Sequence, residues 1–173
     1  MTTNELALEI IKRLKIDYPD PMCSLDYGKD YELLFSVRLA AQCTDERVNQ
    51  IAPRLYKTFP TLESFASADI ALLEEIIRPC GFFHIKARDI VACAAMLLTD
   101  FGGKVPDTMD ELLKLPGVGR KTANLILGDI YHKPAVVTDT HCIRLSNRMG
   151  LASGKDPYKV EKQLAAVLPP DEQ

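Results

Sequence analysis

The sequence predicts an all-α protein, and three observations carry that prediction. Apolar residues recur at helical spacing along most of the 173 residues. Residues that favour helix starts stand just ahead of those runs. Strand signals are nearly absent: Ala135-Val136-Val137 is the one β-like triplet, and no Asn-Gly or Asp-Gly turn occurs.

Taken in order, Leu6, Ile10, Ile11 and Leu14 mark one face of a first helix, which Pro19 and Pro21 end. Asp30 is expected to cap a second helix through Leu34, Val37 and Ala41. Thr44 opens a third, with Val48, Ile51, Ala52 and Leu55 inward, and Pro53 is expected to interrupt it. Thr61 and Ala68-Asp69 start two brief helices that finish near Arg78 and Pro79. The longest covers 84–101, with Ile85, Ile90, Ala94, Leu97 and Leu98 buried. Asp107 caps 108–114, another helix follows Gly119, Asp139 or Thr140 starts the next, and Pro157 opens a last one to Leu168. The apolar Val160, Leu164 and Val167 of that helix are expected to lack a partner, which favours reading the chain as a fragment.

Several classes of function are excluded early. The longest apolar run, Ile90–Leu98, is nine residues, about half the ~18 that suggest a membrane span. The first nine residues carry acids and no bases, unlike a secretory signal. Five widely spaced cysteines (Cys23, Cys43, Cys80, Cys93, Cys142) with no Cys-x-x-Cys pair form neither a disulfide framework nor a zinc site. The expectation is a soluble, intracellular protein with reduced thiols and no metal site. Net charge is −3, yet residues 114–148 hold six bases against only Asp129 and Asp139. A basic segment on an acidic body is compatible with phosphate binding, and equally with a solvated helix face.

The strongest local pattern is Leu112-Leu113-Lys114-Leu115-Pro116-Gly117-Val118-Gly119-Arg120-Lys121-Thr122-Ala123-Asn124. Two helices flank a turn in which Gly117 and Gly119 bracket one apolar residue. Glycines allow backbone angles that other residues resist and let N–H groups approach a ligand closely. The second helix then turns the positive end of its dipole outward, as a phosphate site does. Lys121 falls in the first turn of that helix, where the dipole disfavours a cation. It reads either as a phosphate-contacting base or as an amine held available for nucleophilic attack. Farther on, Asp139 follows an extended triplet and starts a helix, as an N-cap does. His141 has no second histidine at metal-ligand spacing. Gln42 ends a helix in Leu39-Ala40-Ala41-Gln42-Cys43-Thr44-Asp45.

LAAQCTD at 39–45, GFFHIKA at 81–87, LPGVGRKTAN at 115–124 and VTDTHCIRLSNR at 137–148 occur in that order. Together they resemble the endonuclease III family of DNA base-excision repair glycosylases, within the helix–hairpin–helix glycosylase superfamily. The resemblance runs from about residue 5 to 170. It implies two helical lobes with the active site between them: a central domain at 22–132, and a second built from 1–21 plus 133–173. It implies Lys121 as nucleophile and Asp139 as the acid that works with it. Gly117, Val118, Gly119 and Arg120 then hold the DNA backbone, Gln42 enters the space left by an extruded nucleotide, and Phe82 is an apolar wedge. His141 completes the DNA-binding set. The implied activity is removal of oxidised pyrimidines from double-stranded DNA, followed by β-elimination at the abasic site, by a monomer.

The sequence departs from the family pattern twice. Members commonly carry four C-terminal cysteines that ligate an iron–sulfur cluster; such ligands would lie beyond residue 173, so no cofactor is expected within the chain. Phe82 is larger than the aliphatic wedge the family leads one to expect. The rival readings are a non-catalytic DNA-binding module, a related glycosylase for oxidised purines or mismatches, and a scaffold protein. Lys121 and Asp139 together argue against the first.

Overall fold

The computed structural model describes residues 2–173, which form ten α-helices and two 3₁₀ turns with no strand among the described residues. The chain divides into two compact units, one of residues 23–126 and one joining residues 2–22 to 127–173.

The first unit holds α2 (Asp30–Ala40), α3 (Asp45–Thr58), α4 (Leu62–Ala66), α5 (Ile70–Ile77), α6 (Phe83–Asp100) and α7 (Met109–Leu112), and α8 (Arg120–Asp129) begins in it. Its floor is aromatic. Phe65 of α4 is fully buried, with the rings of Phe35, Phe59, Tyr56 and Tyr31 at centroid distances of 5.0–6.3 Å. Tilted and edge-on rings at this separation add to the burial energy. Around that floor α4 and α5 pack on α6, and α2 packs on α3. α2 buries Leu33, Leu34, Phe35, Ser36 and Leu39, so nearly every face of it is covered. Tyr56 supports it from α3, donating through its hydroxyl to the Glu32 carbonyl at 2.7 Å.

The caps explain where most helices begin, and they correct several expectations. Asp30 is the first helical residue, not the cap; Lys29 occupies the cap position with no side-chain bond to the first helical N–H groups, while Glu32 accepts from the Gly28 N–H at 2.8 Å. The α7 cap is Thr108, one residue beyond Asp107, because its hydroxyl reaches the Glu111 N–H. Pro53 does not interrupt α3. It stands on the exposed side, where the carbonyl deprived of its N–H partner can turn to water. Ile85 is not buried: 56% of it is exposed, because the buried stripe of the first turn of α6 passes through Lys86 and Ala87.

The second unit holds α1 (Thr3–Asp17), α9 (Thr140–Met149) and α10 (Pro157–Val167). Thr2 and Glu5 cap α1 reciprocally, and Asp156 with Pro157 starts α10. The apolar face of α10 has a partner after all. Val160 and Leu164 are buried with Ala7, Val136 and Leu151, and Leu6, Ile10 and Ile143 close around them. Burying Val160 and Leu164 contributes about 1.5–3 kcal/mol each. A Lys15–Glu172 ion pair ties the last turn back to α1.

Candidate active site

The hairpin between α7 and α8 is built on a demand made from below. Gly117 has φ +76°, and a Cβ on it would lie 2.7 Å from Arg38 Nε and 2.8 Å from Asp89 Oδ2. Arg38, from the last turn of α2, donates to Asp89 of α6 at 2.7 and 2.8 Å. This ion pair therefore occupies the space a side chain at 117 would need. Val118 and Pro116 close over Leu34, Phe35, Ile90 and Cys93 beside it. The turn itself is held by the Val118 N–H donating to the Leu115 carbonyl at 3.2 Å.

Gly119 is different. Its φ is unstrained, and a Cβ there would meet nothing within 4 Å. The folded chain has room for a side chain at this position, so its absence leaves open backbone at the start of α8. The first N–H groups of a helix have no partner inside the helix and face outward with the positive end of the dipole. Lys121 lies in this first turn and is exposed.

Gln42 and Phe82 come together. Both line one cavity of about 180 Å³, with Arg38, Ala41, Ile85 and Lys86. Both are exposed and both have left-handed backbones, φ 57° and 47°, a conformation uncommon for residues other than glycine. Beneath them Lys86 is 1% exposed. Its ammonium donates to the Leu39 carbonyl at 2.8 Å and to the Cys80 carbonyl at 2.9 Å. Burial pulls its pKa below the ordinary lysine value. Behind it, Cys80 is pushed up to about 11, by burial first and by the neighbouring Cys43 thiol second.

Asp139 and His141 belong to the other unit. Asp139 caps α9, its Oδ1 accepting from the Cys142 N–H at 2.7 Å. His141 is exposed in the first turn of that helix. Sequence reasoning missed Arg38, Asp89 and Lys86. The two bases and the acid lie inside helices, Asp89 directly after Arg88, and the only sequence hint was their charge.

The cysteines do not fit an iron–sulfur cluster. Cys80 and Cys93 are buried on separate elements, and no group of three His, Cys, Asp or Glu side chains could hold a metal ion among the described residues. No helix of the described residues is long and apolar enough to cross a membrane.

Comparison with known proteins gives a consistent picture. Residues 35–170 match the HhH-GPD superfamily of base excision DNA repair proteins. Endonuclease III of Synechocystis is 45% identical over 164 residues, 94% of this chain and 75% of that protein. Endonuclease III of Bacillus subtilis is 37% identical over 90% of this chain and 71% of its own length. Two solved structures superpose with a TM-score of 0.93 at 38% identity, covering 99% of this chain and 81% of theirs. One is a non-covalent Endonuclease III–DNA complex, the other a trapped Endonuclease III–DNA covalent intermediate.

Proposed function

The chain belongs to the endonuclease III family of HhH-GPD base excision DNA repair proteins, and on that premise we propose that Lys121 is the nucleophile of its reaction. The protein is a bifunctional DNA glycosylase and abasic-site lyase that binds DNA. The assignment of that chemistry to individual side chains is our own reading. The observation that carries it is the placement of Lys121: exposed, in the first turn of α8, directly after a hairpin whose shape is set by Gly117 over Arg38 and Asp89.

A damaged base cannot be attacked inside the stack, so the nucleotide must turn out of the duplex, at a few kcal/mol. Backbone N–H groups at Gly117 and Gly119, with Arg120, hold the phosphates while the Val118 N–H closes the turn on the Leu115 carbonyl, and the open backbone at Gly119 supports this role. Gln42 and Phe82 fill the gap. The Lys121 amine, as its neutral form, attacks the anomeric carbon, and the base departs with the electrons of the glycosidic bond and takes up a proton. Ring opening gives an iminium between Nζ and the sugar. That iminium accepts the electrons released when a proton leaves C2′, and the 3′ phosphate is expelled. Asp139 takes the proton from the attacking amine or stabilises positive charge developing on the sugar. This route draws on no metal or cofactor held by residues 2–173. The substrate class is oxidised pyrimidines in double-stranded DNA, and the enzyme works as a monomer inside the cell, in the cytoplasm of a prokaryote.

Borohydride trapping on a duplex with one abasic site tests the assignment. Reduction converts the iminium to a permanent crosslink. Lys121→Ala is expected to lose crosslinking by about a thousandfold or more while still binding duplex DNA. A crosslink of undiminished rate in the variant would overturn the role of Lys121. Base release from an oxidised-pyrimidine duplex, run beside an oxidised-purine duplex, decides the substrate class.

A further inference from the structure

Lys86 presents a puzzle that core packing does not solve. An ammonium ion 1% exposed, with carbonyl oxygens as its hydrogen-bond acceptors, is an expensive way to fill a space that methionine would fill. Its two acceptors are informative. Leu39 is the penultimate residue of α2, so its carbonyl belongs to the negative end of that helix, three residues before Gln42. Cys80 ends the 3₁₀ turn that precedes Gly81 and Phe82. One cation thus joins the roots of the two loops that carry Gln42 and Phe82. Each of those residues holds a left-handed backbone, a strained conformation that persists only where the surroundings over-determine it.

We propose that Lys86 is a positioning residue for lesion recognition, clamping the Leu39 and Cys80 carbonyls so that Gln42 and Phe82 are held ready, at fixed spacing, to enter the gap in the duplex. The inference rests on the gap-filling roles given above to Gln42 and Phe82. Preorganisation of this kind improves binding without a new contact to the ligand, because the loops no longer have to be ordered when DNA arrives. Its signature is a loss of preference for gapped over intact DNA, with Lys86 itself touching neither.

The test is a double-mutant cycle on binding. The dissociation constants for an undamaged duplex and for the same duplex with one tetrahydrofuran abasic analogue give a preference ratio. Lys86→Met is expected to lower that ratio about tenfold, the size of a lost charge-assisted hydrogen bond. In a background of Gln42→Ala with Phe82→Ala, adding Lys86→Met should change the ratio by less than about twofold, since nothing is left to position. A ratio unchanged by Lys86→Met alone, or lowered equally in both backgrounds, would overturn the proposal and leave Lys86 a core residue. If Lys86→Met shows no cooperative melt, Lys86→Gln, which keeps a neutral amide donor group in place of the cation, goes through the same cycle. Its expected drop is about threefold, and the same two outcomes decide. A Gln42→Ala/Phe82→Ala pair that keeps the full preference contradicts the gap-filling reading instead, and shows up before Lys86 is altered.

Discussion

The hairpin at 113–121 and the paired loops at 41–43 and 80–82 both present exposed backbone to the outside of one helical unit, but they are held in opposite ways. The hairpin rests on an ion pair that comes up from α2 and α6 and takes the space beneath Gly117. The paired loops hang from an ammonium ion reaching their carbonyls from α6. In the hairpin the special backbone angle falls on a glycine, which adopts it at little cost. In the loops it falls on Gln42 and Phe82, whose side chains are the useful part and cannot be dispensed with. A surface that presents only backbone N–H groups can be written in local sequence. One that presents side chains from strained positions needs support from elsewhere in the fold.

The largest effect is expected where both regions share a foundation. Phe65→Ala removes the ring against which Phe35 and Tyr56 pack, beneath the helices that carry Arg38, Asp89 and Lys86. It should cost about 3–5 kcal/mol, a fall in Tm of roughly 10 °C, and weaken hairpin and loops together. A melt that leaves one region's function intact would show that the two do not share this floor.

Gly117→Ala separates the hairpin from the loops. Its positive φ and the 2.7 Å approach to Arg38 should cost about 1–3 kcal/mol, readable as a lowered Tm, and duplex affinity should fall with it. Gly119→Ala sharpens the point further. Stability should stay within about 0.5 kcal/mol, because a Cβ there meets no neighbour. Affinity for undamaged duplex should still fall by about tenfold if DNA backbone approaches that glycine. Equal behaviour of the two variants would mean that both glycines serve the fold alone.

The contrast between local and tertiary support also sets what could be read from the sequence. The hairpin was legible because Pro116-Gly117-Val118-Gly119 states its own geometry, and the helices were legible because their apolar spacing and caps are local. The starts at Thr44, Thr61, Asp69, Asp139 and Pro157 stand where the sequence puts them. What escaped depended on distant partners. Pro53 is tolerated because its side of α3 faces water. Ile85 is exposed because Lys86 takes the inward position. The last helix is covered by α1, more than a hundred residues away in sequence. Arg38 and Asp89 meet across 51 residues, a pairing that periodicity cannot express.

The smallest expected effect concerns two buried thiols, Cys80 at the paired loops and Cys93 beneath the hairpin. Burial pushes Cys80 up to about 11 and Cys93 up to about 12, against about 8.5 for a thiol in the unfolded chain. Both should react with an aromatic disulfide reagent at pH 8 at least about tenfold more slowly than the partly exposed Cys43. The linkage has a definite sign. A raised thiol pKa in the folded state means that only the unfolded chain gains by ionising, so stability should fall as pH rises from about 8.5 toward 11 and 12. Loosening the loops by Lys86→Met should speed labelling of Cys80 and leave Cys93 slow; the reverse order would place the disturbance in α6 and not in the loops.

The assignment of the chemistry to α8 is tested most directly by locating the crosslink itself. Borohydride-trapped protein on an abasic duplex, digested with protease and nuclease, yields a peptide that carries a sugar remnant, and fragmentation in the mass spectrometer names the modified residue. The remnant is expected on Lys121. A remnant on Lys114, Lys133 or the terminal amine in the unmutated protein would contradict it and move the reaction away from the first turn of α8.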